Sequence, residues 1–154
     1  MSMEFSLISR ESEYYPQVLQ LRNRILRIPI GLNLFDEDLS DEENQFTVIM
    51  VKAEKVIGCI LLKIINKETI KLRQMAIDEP YQRTGMGSLL IGYAENFCVL
   101  NDYFSVELNA RKTAIDFYLK SGYHMVGDEF TEVGIPHVRM EKNLRIDRSS
   151  ESND

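Results

Sequence analysis

The residues with the most to say about chemistry are Gln82-Arg83-Thr84-Gly85-Met86-Gly87. They follow a strand-like run, Ile70 to Ile77, and lead into a helical run, Met86 to Cys98. The chemistry such a junction offers is anion binding, with a diphosphate as the natural guest. The first amides of a helix have no intrahelical partner, and the dipole there favours negative charge. Gly85 and Gly87 carry no Cβ, so a phosphate oxygen can approach the backbone closely. Arg83 adds a positive charge at the rim. No Gly-Lys-Ser/Thr follows the turn, which argues against a P-loop nucleotide hydrolase. A second charged feature is the run of six carboxylates between Asp36 and Glu43. Such a run steers a cationic amine at long range or simply solubilises a loop, and the second reading is the commoner. His124 and His137 are isolated and far apart, so no metal site is expected.

The elements that position the turn follow from periodicity. A chain of 154 residues fits one domain. That domain is expected over residues 1–144, with the polar stretch 145–154 as a flexible tail. Phe5 to Ile8 reads as a strand. Glu11 to Arg27 reads as a helix capped by Ser9 or Ser12, with Tyr15, Val18, Leu19, Arg22, Ile25 and Leu26 at helical spacing. Pro29 and Gly31 stop it, and Leu32 to Asn44 is a loop with room for one helical turn. Phe46–Val51 and Val56–Ile65 form a hairpin, and the Ile70–Ile77 strand follows. In the next helix Met86, Leu89, Leu90, Tyr93, Ala94 and Phe97 make an apolar stripe. Tyr103 to Asn109 is a strand with Glu107 and Asn109 on one side. Thr113 to Ser121 is a short helix closed by Gly122. Tyr123–Val126 and His137–Met140 are final strands, with Pro136 turning into an edge strand. The order is that of a mixed α/β domain.

Composition narrows the function. A net charge of −6 argues against a general nucleic-acid binder without excluding a cationic substrate. Cys59 and Cys98 each sit in an apolar segment and read as buried thiols. No signal peptide is visible at the N-terminus, and no apolar run reaches the roughly 20 residues of a membrane helix, so a cytoplasmic location without membrane contact is expected.

Taken together, Leu72-Arg73-Gln74-Met75-Ala76-Ile77, Gln82-Arg83-Thr84-Gly85-Met86-Gly87, Asn109-Ala110-Arg111 and Phe117-Tyr118-Leu119-Lys120-Ser121-Gly122-Tyr123 resemble the GNAT superfamily of acyl-CoA-dependent N-acyltransferases. The likeness runs from about Val56 to Met140. It implies a central, mostly antiparallel mixed sheet of six to seven strands, with helices on both faces and two splayed central strands. The diphosphate of acetyl-CoA would rest on the amides of Gln82, Arg83, Thr84, Gly85, Met86, Gly87 and Ser88. The pantetheine arm would pair with backbone at Met75, Ala76 and Ile77, much like an added strand. Asn109, Ala114 and Phe117 would complete the cofactor site.

The same resemblance makes Tyr118 the donor of a proton to the CoA sulfur. A phenol with a reference pKa near 10 suits a thiolate whose acid lies near 8.5. Packing beside Ala114 and Phe117 is the plainer role for Tyr118. Asn109 holds a water or the pantetheine, or simply starts a turn. The strand over 70–77 offers no carboxylate as general base, and Glu107 is the nearest substitute. The amide of Met75 or Ala76 is the implied oxyanion donor. Arg111 and Lys120 could meet CoA phosphates, but exposed helix cations are usually just solvated. The implied activity is acetyl transfer to a small-molecule or peptide amine, without a metal, in a monomer or homodimer. A non-catalytic acyl-CoA sensor is the rival.

Overall fold

The computed structural model describes residues 2–145, so the tail expected over 145–154 lies, apart from Arg145, outside the described residues. Seven strands form one sheet: β1 (Met3–Ile8), β2 (Phe46–Lys52), β3 (Lys55–Ile64), β4 (Thr69–Ile77), β5 (Ser105–Arg111), β6 (His124–Glu132) and β7 (Ile135–Asn143). The helices are α1 (Tyr15–Arg22), α2 (Met86–Leu100) and α3 (Ile115–Lys120). The strand order is β1-β2-β3-β4-β5-β7-β6, and only β4 and β5 run parallel. This is the mixed, mostly antiparallel sheet that the family resemblance implied.

Burial explains the strand compositions. β2 and β3 are covered on both faces, so they read as unbroken aliphatic runs rather than alternating ones. β5 alternates, burying Val106, Leu108 and Ala110 while Glu107, Asn109 and Arg111 face the other side. On one face α2 and α3 pack Leu90, Ile91, Ala94, Cys98 and Tyr118 into the larger core. On the other, α1 packs Tyr15, Val18 and Leu21 against Ile49, Cys59 and Ala76.

Several expected boundaries shift. α1 begins at Tyr15 rather than Glu11, because Pro16 has no N–H for a bond back to the preceding turn and belongs in a first turn. Its last turn widens into a π-helix over Asn23–Arg27, which regular spacing does not reveal. Residues 32–44 contain two 3-10 turns, Leu34–Asp36 and Ser40–Asn44. The buried stripe of α2 is rotated from the expected one: Leu89 and Tyr93 are 56% and 40% exposed, while Ile91 and Cys98 are buried. The final hairpin is longer than expected. Val133 and Gly134, both at positive φ, form its two-residue turn. β7 is an interior strand and β6 the edge, so Pro136 opens an interior strand beside the hairpin turn.

Candidate active site

β4 and β5 pair only from Thr69–Leu72 to Ser105–Leu108. Beyond that point β4 carries a bulge, where the register to β3 shifts between Leu61↔Arg73 and Cys59↔Ala76 and Gln74 takes φ 55°. A bulge bends its strand, and here β4 leaves β5. The Asp78 N–H bonds the Ile57 carbonyl at 2.8 Å, with Ile77 opposite Gly58 and Ala76 opposite Cys59. Backbone groups alternate, so Ala76 turns its amide to β3 and Met75 and Ile77 turn theirs to the opening. Ala76 is also buried at 2% exposure in the α1-side core. It is therefore misplaced among residues expected to touch a ligand. The Ile77 carbonyl accepts from Gln82 Nε2 at 2.8 Å, tying the glycine turn to the strand.

In that turn Thr84 Oγ1 donates to the Tyr81 carbonyl, and Gly85 caps α2 at φ 84°. Arg83 takes φ 63° and is exposed. The first helical bond runs from Leu89 N–H to the Gly85 carbonyl at 3.2 Å. The amides of Met86, Gly87 and Ser88 precede it and are available to an anion. Gly87 has a second reason to be glycine. A Cβ there would sit 3.1 Å from the Phe117 ring, so its bareness serves α2–α3 packing as well as access.

The opening between β4 and β5 is a cleft of about 380 Å³. Toward α2 and α3 its wall is apolar: Leu72, Leu108, Ala114 and Tyr118. Tyr118 is 8% exposed and meets Phe117 and Tyr123 edge-on at 5.1 and 5.9 Å. Burial pushes its phenol up to about 12, so it stays protonated across the working pH range. Toward α1 the wall is polar. Asn109 Nδ2 donates to Glu132 Oε1 at 3.3 Å. Glu107 does not line the cleft; it is held by Arg139 at 3.3 Å, which removes it as a base. Asn109 is followed by two more strand residues, so it lines β5 rather than ending it.

The α1 wall rests on buried charge. Glu42 accepts two hydrogen bonds from Arg22, both 2.7 Å, and one from the Tyr15 hydroxyl at 2.7 Å. Arg73 donates to Gln45 Oε1 at 2.7 Å, beside this pair. Arg27 binds Glu37 at 2.7 Å, and Lys63 binds Asp41 at 2.9 Å. Three carboxylates of the acidic run are thus clasps for cations of the fold. The π-turn leaves the Leu26 carbonyl free to accept from Arg27 Nη1 at 3.3 Å and Arg111 Nη2 at 2.6 Å. Arg111 therefore belongs to β5 and the cleft, not to a solvated helix face. His137, 3% exposed, also lines the cleft. Its Nδ1–H donates to the Ile135 carbonyl at 2.9 Å, because a carbonyl can only accept. Its Nε2 faces Glu132 Oε2 at 3.6 Å.

Residues 30–144 match the family described as Acetyltransferase (GNAT) domain. The chain belongs to this family of acetyltransferases. YyaT of Bacillus subtilis, itself uncharacterized, is 30% identical over 110 residues, covering 71% of this GNAT chain and 74% of that protein. A candidate N-acetyltransferase from Lactobacillus plantarum shares the fold with a TM-score of 0.84 at 20% identity, over 94% of this chain and all (100%) of that one. A GNAT family acetyltransferase from Elizabethkingia anophelis, solved with acetyl-CoA bound, gives a TM-score of 0.68 at 15% identity, over 92% and 98%.

Sequence reading missed Arg27, Arg73, Glu132 and His137 as cleft residues of this GNAT protein, and treated Arg111 as solvated. One signal was available. Arg22 falls on the apolar stripe of α1, and an arginine there calls for a carboxylate, which the acidic run supplies at Glu42.

Proposed function

We propose that this protein transfers the acetyl group of acetyl-CoA to a primary amine by direct attack in a ternary complex. The observation that carries the reading is Tyr118: a buried, protonated phenol on the wall of an opening between two splayed strands. The free amides of Met86, Gly87 and Ser88 suit a diphosphate, and the backbone of Met75 and Ile77 suits the amides of a pantetheine arm. When bound, acetyl-CoA supplies the acyl group and a thiolate leaving group. The Met75 or Ile77 N–H polarises the thioester carbonyl. As the amine nitrogen bonds to the carbonyl carbon and the carbon–sulfur bond breaks, Tyr118 gives its phenolic proton to the sulfur. His137 Nε2 takes the proton leaving the amine, and Glu132 stabilises the imidazolium that forms. Solvent then returns a proton to Tyr118 and removes one from His137, which closes the cycle.

The test has two arms. Acetyl-CoA at about 100 times its Kd adds roughly 2.7 kcal/mol, which raises the Tm by about 5–10 °C. No shift would remove the cofactor from the reading. Thiol release from acetyl-CoA should rise when a panel of amines is supplied. Tight binding with no amine raising that rate would leave a non-catalytic acyl-CoA sensor.

A further inference from the structure

We propose that the acceptor amine carries a carboxylate, and that Arg111, with Arg27 beside it, binds that carboxylate at the α1 mouth of the cleft. This rests on the transferase reading above and names its substrate class. The chain has a net charge of −6, yet its cleft is lined by four cations, Arg27, Lys71, Arg73 and Arg111, against two carboxylates, Glu37 and Glu132. Charge on the cleft wall therefore opposes the charge of the molecule.

The cations differ in what they already hold. Arg27 has Glu37, and Arg73 has Gln45 with Glu42 at 3.8 Å. Among the described residues no ion pair reaches Arg111. Its only protein acceptor there is the Leu26 carbonyl, which it shares with Arg27. Sharing one oxygen at 2.6 and 3.3 Å keeps donor nitrogens of the two guanidinium groups less than about 6 Å apart. Two like charges that close, with one ion pair between them (Arg27 to Glu37), are short of a directly bound anion. Burial and the Arg27 charge both disfavour the cationic form of Arg111, while Glu132 partly offsets them. A guanidinium has five N–H donors in a planar fork, and one carbonyl uses only one of them. The matching partner for that fork is a carboxylate or a phosphate.

The diphosphate of acetyl-CoA does not fill this need. Its proposed amides open α2, on the opposite face of the sheet from the Arg111–Leu26 contact. A polyamine or other polycation would meet two guanidinium groups at the mouth. A carboxylate at Arg111 instead sets its amine near His137, which is the cross-strand neighbour of Arg111.

The experiment compares glycine, β-alanine, lysine and glutamate with their carboxamides, and with spermidine, in acetyl-CoA thiol release. The best acceptor should be a carboxylate, and its carboxamide should lose at least about tenfold in kcat/KM. Arg111→Gln should bring the carboxylate down to the carboxamide level, and Arg111→Lys should recover part of the loss. Carboxamides or spermidine working as well as the carboxylates would overturn the proposal. Calorimetry with the N-acetyl derivatives of the same amino acids judges the site without turnover. Binding to the wild type that weakens about tenfold in the N-acetyl carboxamides supports it. Equal binding of the two, or none of the carboxylates binding, overturns it. Silence from every amine alongside selective carboxylate binding would sink the transferase reading and keep the anion site.

Discussion

The two faces of the sheet are stabilised by different forces. On the α2–α3 face the core is aliphatic and aromatic, and Tyr118 sits in it as a buried neutral phenol. On the α1 face the apolar core is smaller, and the buried charged side chains Arg22, Arg27, Glu42 and Asp78 belong there. Both faces meet at the splay of β4 and β5. The face proposed to grip a common cofactor uses backbone amides and packing, which do not depend on pH. The face proposed to choose an acceptor uses fixed charges, which can be complementary to one substrate and opposed to another.

The largest expected effect tests the neutral face. Gly87→Glu sets a carboxylate against the amides at the start of α2 and a Cβ 3.1 Å from the Phe117 ring. The thermal shift with acetyl-CoA should vanish. A retained shift would move the phosphate site away from the turn. Because Phe117 is in the path, Gly87→Ala is the control: it should cost about 1–3 kcal/mol of stability through overpacking while retaining most of the shift.

Next comes Tyr118→Phe, which keeps the ring and its edge-on contacts with Phe117 and Tyr123. If the hydroxyl delivers a proton, kcat should fall by about 100-fold or more with acetyl-CoA affinity near wild type. An unchanged kcat would return Tyr118 to packing alone. A wild-type rate that does not decline in its basic limb until pH nears 12 would agree with the raised phenol pKa.

Legibility in the sequence follows the same division. The glycine turn and its flanking strand and helix are contiguous, so local pattern was enough to place them. The α2 stripe was found rotated about the helix axis, because Ile91 and Cys98 take the buried face in place of Leu89 and Tyr93. The charged wall was not legible. Leu26 and Arg111 are 85 positions apart, and they meet only because a π-turn exposes one carbonyl as β5 passes it. Nor does spacing show that Glu42 is a buried partner and Asp38 an exposed one, since both belong to one acidic run.

The smallest predicted effect tests whether charge is what holds the α1 face. Burial by itself would raise the pKa of Glu42. Two hydrogen bonds and the charge of Arg22, with the Tyr15 hydroxyl, outweigh burial and hold it below the ordinary carboxylate range. A carboxylate depressed in this way contributes stability that is fully present above its unfolded pKa, about 4.3, and is lost as pH falls through the folded value. Glu42→Gln should therefore cost about 1–3 kcal/mol at pH 7 by denaturant unfolding. The gap to wild type should begin to close as pH falls below about 4.3, because the unfolded wild type takes up a proton at Glu42 there while the folded protein resists it, and the variant has nothing to protonate. Asp41 and Asp78 are also depressed, but both proteins keep them, so they cancel in the difference. A gap that stays constant with pH would mean Glu42 is held by shape. The acetyl-CoA shift should be the same in both proteins at pH 7, since the cofactor is proposed to rest on the neutral face.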